Sequence, residues 1–121
     1  MPEIKTMEDL GKAIEKSEES PVFIFKHSTA CPISARAAAR VSKYAEEGKG
    51  GKPEIYWLKV IEARPVSNEL ANRVRVVHKS PQMILLDKGK AVWNTSHADI
   101  TADTMDKAVA EKEQDAGHNA E

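Results

Sequence analysis

The sequence predicts an α/β protein in which a four-stranded mixed sheet carries helices on both faces, in the order αβαβαββα. Short apolar runs rich in aromatic and β-branched residues alternate with segments whose apolar residues recur every three or four positions. Only the last two strands follow each other directly, through a turn at Gly89. Strands separated by helices are expected to pair in parallel, and the hairpin is expected to add an antiparallel strand.

The chain is expected to begin with a helix and a buried strand. Thr6 and Asp9 form a capping-box pattern ahead of apolar residues at helical spacing, which predicts a helix over Met7–Lys16. The uninterrupted apolar run 22–25 predicts a strand that is buried on both faces.

A second helix is expected to begin at Pro32 and to end in the glycine-rich segment 48–51. Its buried face is expected to hold the apolar residues Ile33, Ala37, Val41 and Ala45. Its other faces, with Ser34, Arg36, Arg40 and Lys43, are expected to be solvated.

The second half of the chain predicts three strands and two helices. In order, these are a strand over 55–60, a helix from Arg64, a strand over 82–86, a turn over 87–90, a strand over 91–94, and a helix capped by Thr101. The helix from Arg64 has Val66, Leu70 and Val74 on one face. The polar segment from Glu111 is expected to fray, so a single domain covers residues 1–121 and ends in a frayed tail.

Composition narrows the class of function. The 18 basic and 19 acidic residues give a net charge of −1, which argues against a nucleic-acid partner. The single cysteine excludes a disulfide scaffold and any zinc site built from several cysteines. The sequence has no apolar signal segment and no apolar run long enough to span a bilayer. The expected setting is therefore the reducing cytoplasm. No membrane partner is expected, and the expected state is a monomer.

Cys31 is the strongest candidate for chemistry, because it falls where a core strand ends and a helix begins. Pro32 suits the first helical position, which makes Cys31 the N-cap. Unpaired backbone N–H groups and the positive end of the helix dipole then favour the thiolate. Lys26 and His27 lie close enough in sequence to add positive charge.

Ser34 follows Cys31 at the spacing of a C-x-x-C redox motif and places a hydroxyl where such motifs have a second thiol. Its hydroxyl can donate a hydrogen bond to the thiolate. A mixed disulfide on Cys31 must then be resolved by an external thiol, which is a monothiol mechanism. The competing interpretation is an inert buried cysteine, but the polar neighbours and the proline favour a reactive one.

Ser80 and Pro81 directly precede a core strand, where a proline within the ladder would be costly. The bond between them is either cis, in a tight turn facing the Cys31 loop, or trans at the start of an edge strand. His78 and His97 flank this region and can line the site, although solvated loop histidines are the simpler interpretation. His27 and Cys31 alone provide too few ligands to predict a metal site.

The run 25–34 resembles the active-site segment of the monothiol bacilliredoxins, also called the bacillithiol system protein YtxJ family. The segments 64–69, 78–82, 93–97 and 100–101 resemble the same family, in the same order. The resemblance implies a thioredoxin-like fold, Cys31 as the redox cysteine and Pro81 as a cis-proline. It implies no bound cofactor, bacillithiol as thiol co-substrate, bacillithiolated client proteins as partners, and recycling by bacillithiol or a reductase.

The expected site has Cys31 as the catalytic residue. The thiolate-stabilising residues are expected to be Ser34, Pro32 and Thr29, and the substrate-binding residues Ser80, Pro81, His27 and His97. Two positions depart from the family: Lys79 replaces an acidic residue, and Ala98 replaces a large aromatic one. The preference for client or thiol is therefore expected to differ.

Two alternatives remain open. One is a monothiol glutaredoxin-like protein that uses glutathione or holds an iron–sulfur cluster, although the C-G-F-S signature of the cluster form is missing. The other is a thioredoxin-fold binding module without turnover, because a fold alone does not establish catalysis.

Overall fold

The computed structural model describes residues 1–47 and 52–119 and shows the predicted order αβαβαββα. The elements are α1 (Met7–Lys16), β1 (Val22–His27), α2 (Pro32–Glu47), β2 (Glu54–Lys59), α3 (Arg64–Val74), β3 (Gln82–Asp87), β4 (Lys90–Ser96), the short 3₁₀ helix η1 (His97–Asp99) and α4 (Ala102–Asn119). The predicted bounds of α1 and the predicted first residues of α2 and α3 are confirmed. The predicted end of α2, in segment 48–51, lies outside the described residues.

The sheet is four-stranded and mixed, with the strand order β2-β1-β3-β4. β1 pairs in parallel with β2 and antiparallel with β3, and β4 completes the hairpin with β3. The prediction that all helix-separated strands pair in parallel is therefore wrong for β3. Residues 75–81 return the chain to the end of the sheet where β1 finishes, so that Gln82 pairs with Lys26.

The sheet separates two apolar clusters. Successive β1 residues point to opposite faces, so Ile24 packs with residues of α1 and α3, while Phe23 packs with residues of α2 and α4. The apolar residues of β1 are fully buried, as their uninterrupted run predicts.

The buried face of α2 differs from the predicted one at its first turn. The buried residues are Ser34, Ala37, Val41 and Tyr44. Ile33 is 48% exposed and Ala45 is only partly buried. The helical period identified the middle of the buried face, but Ser34 replaces Ile33 at one end of it and Tyr44 replaces Ala45 at the other.

Both edges of the sheet have local irregularities. Glu3 forms a bridge to Trp57 at the outer side of β2. On β4, the register shifts so that Ala91 pairs with Leu86 and Trp93 with Leu85, which leaves Val92 as the extra residue of a bulge.

The last helix is longer than predicted. Thr101 accepts the Thr104 backbone N–H at 3.2 Å, which confirms the predicted cap. α4 then continues past Glu111 to Asn119, where the sequence predicts a frayed tail. The segment contains Glu, Lys, Gln and Ala, whose helix propensities are high.

Candidate active site

Cys31 caps the N-terminus of α2. Its carbonyl accepts the Ala35 N–H at 3.1 Å, and its own N–H donates to the Ser28 carbonyl at 3.3 Å. The cysteine is partly exposed. The first turn of this 16-residue helix contains no acidic side chain, so no carboxylate offsets the positive end of the dipole at Cys31. Cys31 is therefore a partly exposed residue at the positive end of the helix dipole.

Ser34 braces the loop that carries Cys31. It is completely buried, and its Oγ accepts the Ser28 N–H at 3.3 Å. The prediction of a solvated Ser34 is therefore wrong, because this position faces the sheet. Among the hydrogen bonds of residues 1–47 and 52–119, none joins Ser34 to the Cys31 sulfur. Thr29 and Pro32 lie exposed on either side of Cys31.

The Ser80–Pro81 peptide bond is cis, as the resemblance implies. Pro81 is buried at the start of β3, and the Gln82 side chain holds the preceding loop. Gln82 Nε2 donates to the Val77 carbonyl at 3.1 Å, and Gln82 Oε1 accepts the Lys79 N–H at 3.2 Å. The Ser80 hydroxyl is buried without a hydrogen-bond partner among the described residues. This loop meets the β1–α2 loop because Gln82 pairs with Lys26 at the end of β1.

His97 lies beside the cis-proline. Its N–H donates to the Pro81 carbonyl at 3.0 Å, and its side chain is exposed. Its φ of 56° is unusual for a residue other than glycine. Arg40 donates to the His97 and Ile100 carbonyls, at 3.4 and 2.7 Å. The prediction of a solvated Arg40 is therefore wrong, because its side chain connects α2 to η1 and His97 by hydrogen bonds.

His27 is buried in an aromatic layer. Its ring centroid lies 5.7 Å from that of Phe25 and 4.7 Å from that of Trp57, and only 6% of the residue is exposed. Burial lowers the pKa of His27 from its ordinary value of 6.5, which disfavours the charged form of the ring. This direction weighs against the positive charge expected from His27. Its burial does not favour the predicted contact with substrate.

Lys26 is completely buried on the opposite face of β1. Its Nζ has no hydrogen-bond partner among the described residues. Burial lowers the pKa of Lys26 to about 8, which leaves the amino group mainly charged at pH 7. The expected contribution of this charge to Cys31 stays a prediction.

Sequence reasoning missed the structural roles of Gln82 and Arg40. Gln82 could have been recognised from its place in the sequence, because it is a polar residue directly after Pro81 at a buried strand position. No local signal marked Arg40, because its partners lie about 60 residues away in sequence.

The described parts of the chain lack both a metal-binding cluster and a membrane-spanning helix. Among the side chains of residues 1–47 and 52–112, no group of three or more His, Cys, Asp or Glu could hold a metal ion. None of the helices described there is long and apolar enough to cross a membrane.

Comparisons with known proteins agree with this geometry. The family model described as monothiol bacilliredoxin BrxC matches residues 2–105. A solved structure described as an oxidoreductase with a thioredoxin fold is 32% identical, with a TM-score of 0.79 over 88% of this chain and 91% of that chain.

More distant thioredoxins share the fold. Thioredoxin from Fasciola hepatica is 20% identical, with a TM-score of 0.73 over 89% of this chain and 99% of its own. Mitochondrial thioredoxin 3 from Saccharomyces cerevisiae is 12% identical, with a TM-score of 0.70 over 92% and 94%. The chain therefore belongs to the monothiol bacilliredoxin family and is a thiol oxidoreductase with the thioredoxin fold.

Proposed function

We propose that this protein removes bacillithiol from mixed disulfides on client proteins, with Cys31 as the attacking thiol. The observation that carries the proposal is a single, partly exposed cysteine at the N-terminus of α2, with a buried serine in place of a second thiol. Family membership supports bacillithiol as the thiol that is exchanged.

The reaction needs two thiol–disulfide exchanges. The Cys31 thiolate attacks the bacillithiol sulfur of the client's mixed disulfide, a bond forms between these two sulfurs, and the client sulfur leaves as a thiolate that takes a proton from water. A second thiolate, from free bacillithiol or from a reductase, then attacks the bacillithiol sulfur held on Cys31. Cys31 leaves as a thiolate, and the bacillithiol sulfur ends in a disulfide with the second thiol, which therefore supplies the reducing equivalents for the release of the client thiol.

Each site residue has a proposed part in these steps. The N-terminus of α2, with Pro32 and Thr29, stabilises the Cys31 thiolate as attacking and leaving group. The Ser34 hydroxyl, whose oxygen accepts the Ser28 N–H, donates its own hydrogen to the sulfur once the thiolate has formed. Backbone groups of Ser80 and Pro81 hold the disulfide in line with Cys31, and His97 borders the same position. The proposal places the reaction in the cytoplasm, where the reducing thiol pool that recycles Cys31 is found.

Intact-mass measurement tests the proposal directly. Reduced protein is mixed with oxidised bacillithiol and, separately, with oxidised glutathione. We expect one bacillithiol adduct, its loss in Cys31→Ser, and its removal by free bacillithiol. A bacillithiolated model client should also be released as the free thiol.

Other outcomes point to other functions. Faster adduct formation with glutathione than with bacillithiol would favour a glutaredoxin-like function, and visible absorbance of the purified protein would indicate an iron–sulfur cluster. Failure to form an adduct with either disulfide would make Cys31 a structural residue and favour a binding module without turnover.

A further inference from the structure

Basic side chains surround the loop that precedes Pro81. Lys26 pairs through its backbone with Gln82, and Arg64 opens α3 shortly after β2 ends beside the last residue of β1. His78 lies in the loop before Pro81, and burial, followed by the positive charges of Lys26 and Arg64, lowers its pKa from the ordinary value of 6.5. Lys79 is the next residue in the chain, exposed at the surface with its backbone N–H held by Gln82. We call Lys26, Arg64, His78 and Lys79 the basic cluster.

The cations of the basic cluster have no acidic partner among the described residues. The ion pairs described for the side chains of residues 1–47 and 52–112 include Lys59 with Glu3 and Arg73 with Glu69, but none includes Lys26, Arg64 or Lys79. Glu62, the acidic residue nearest to Arg64 in sequence, lines a shallow pocket with Lys5 and Lys59 on the β2 side. Positive charge is therefore concentrated locally in a chain whose net charge is −1.

Lys26 distinguishes this cluster from an ordinary set of surface charges. Its Nζ lies in the interior without a hydrogen-bond partner, and its charge acts on His78. A buried charge is screened much less by water and salt than an exposed one, so its field reaches the loop above it. Lys26 also pairs through its backbone with Gln82, the residue after Pro81.

The basic cluster lies at the same end of the sheet as Cys31. β1 ends at His27, and Cys31 follows within one turn, its N–H bonded to the Ser28 carbonyl. A disulfide positioned between Cys31 and Pro81 therefore lies at the end of the sheet that carries the basic cluster. Arginine and lysine side chains recognise carboxylates through charge-assisted hydrogen bonds, and arginine can do so with two parallel bonds.

We propose that the basic cluster selects disulfides that carry carboxylates and holds the carboxylate beside the bond that Cys31 attacks. The inference rests on the proposed function, because it assigns a specificity to the same exchange reaction. Carboxylate-bearing low-molecular-weight thiols, such as bacillithiol and glutathione, fit this class, whereas cationic disulfides are disfavoured by like charge.

Rates of adduct formation with three small symmetrical disulfides test the inference. The probes are dithiodipropionate, which is anionic, hydroxyethyl disulfide, which is neutral, and cystamine, which is cationic. In the wild type we expect the anionic probe to react fastest and the cationic probe slowest. Each surface cation of the cluster should contribute about two- to fivefold to the ratio of anionic to neutral rates, as partly exposed ion pairs do.

Variants with matched charge changes locate the effect. Arg64→Gln and Lys79→Gln, singly and together, should lower the ratio of anionic to neutral rates. Lys90 is an exposed residue at the start of β4, beside the end of β3 that lies away from Pro81. Lys90→Gln removes one positive charge there and should leave all three rates unchanged. High salt should reduce the ratio in the wild type more than in the double variant.

The outcomes separate this inference from the proposed function. Equal rates for the three probes in the wild type, or equal effects of Lys90→Gln and Lys79→Gln, would overturn charge selection while leaving disulfide exchange in place. Failure to form an adduct with any probe would overturn the proposed function and this inference with it.

Discussion

Lys26 carries its amino group into the interior without a hydrogen-bond partner among the described residues. Such a group destabilises the folded state, because a buried charge loses its hydration and gains no partner in return. The folded protein also binds this proton less tightly than the unfolded chain, since burial lowers the pKa of Lys26 from 10.5 to about 8. The destabilisation is therefore fully present below pH 8 and is relieved as the pH rises towards 10.5.

Replacing Lys26 by methionine, an apolar side chain of similar length, should stabilise the protein by about 1–2 kcal/mol at pH 7. The difference from the wild type should shrink as the pH rises from about 8 to above 10, because the wild type then loses the buried charge. Urea denaturation at both ends of this range measures the effect. A variant less stable than the wild type at pH 7 would contradict this account of Lys26.

Ser34 is the residue that makes Cys31 a lone thiol. Ser34→Cys restores a C-x-x-C spacing at the helix start, so the new thiolate can attack the mixed disulfide on Cys31. We expect bacillithiol to be released and an internal disulfide to form, seen by mass spectrometry as the loss of the adduct and of two hydrogens. Ser34→Ala should retain the adduct. Persistence of the adduct in Ser34→Cys would show that the two side chains do not meet.

At the scale of elements, the contact between α2 and η1 positions His97 beside Pro81. Arg40 provides this contact by donating to the His97 and Ile100 carbonyls. Ile100 is completely buried, so loss of the arginine leaves its carbonyl without that partner. Arg36 lies one turn earlier on the same helix and is exposed, which makes it a matched control.

Arg40→Met should lower the free energy of unfolding by about 1–3 kcal/mol, the usual effect of leaving a buried polar group unpaired. Arg36→Met should change it by less than about 0.5 kcal/mol, as most surface substitutions do. Hydrogen exchange at residues 97–100 should accelerate only in Arg40→Met. Similar destabilisation by both substitutions would show that Arg40 does not fasten η1 through these bonds.

At the scale of the whole molecule, β1 lies between the two apolar clusters and is buried on both faces. Amides in such a central strand open only when most of the structure unfolds, whereas edge elements open locally. Native-state hydrogen exchange should therefore show the slowest exchange in β1 and faster exchange in β4 and η1. Faster exchange in β1 than in β4 would contradict this order.

Local patterns in the sequence were sufficient to predict the order of elements and the position of Cys31 directly before α2. The Thr6–Asp9 capping box and the proline after Cys31 act within one helical turn, so their effects can be inferred without the rest of the chain. The antiparallel pairing of β3 could not be inferred in this way, because it depends on the path of the loop before it.

The surroundings of Cys31 were harder to predict than its position. The exposure of Ile33 and the burial of Ser34 depend on where α2 meets the sheet, which helical spacing alone does not define. The buried state of Lys26 was equally hidden, since lysine is rarely buried without a partner. The role of Arg40 depends on carbonyls far away in the sequence.

The bulge at Val92 has a consequence for self-assembly. β4 is an edge strand, and a regular edge exposes backbone groups on which a strand of another molecule can grow. The extra residue bends β4 and interrupts the even spacing of those groups, and the charged Lys90 lies at the start of the same strand. An incoming strand therefore meets only short regular stretches, which protects concentrated protein against fibre growth along this edge.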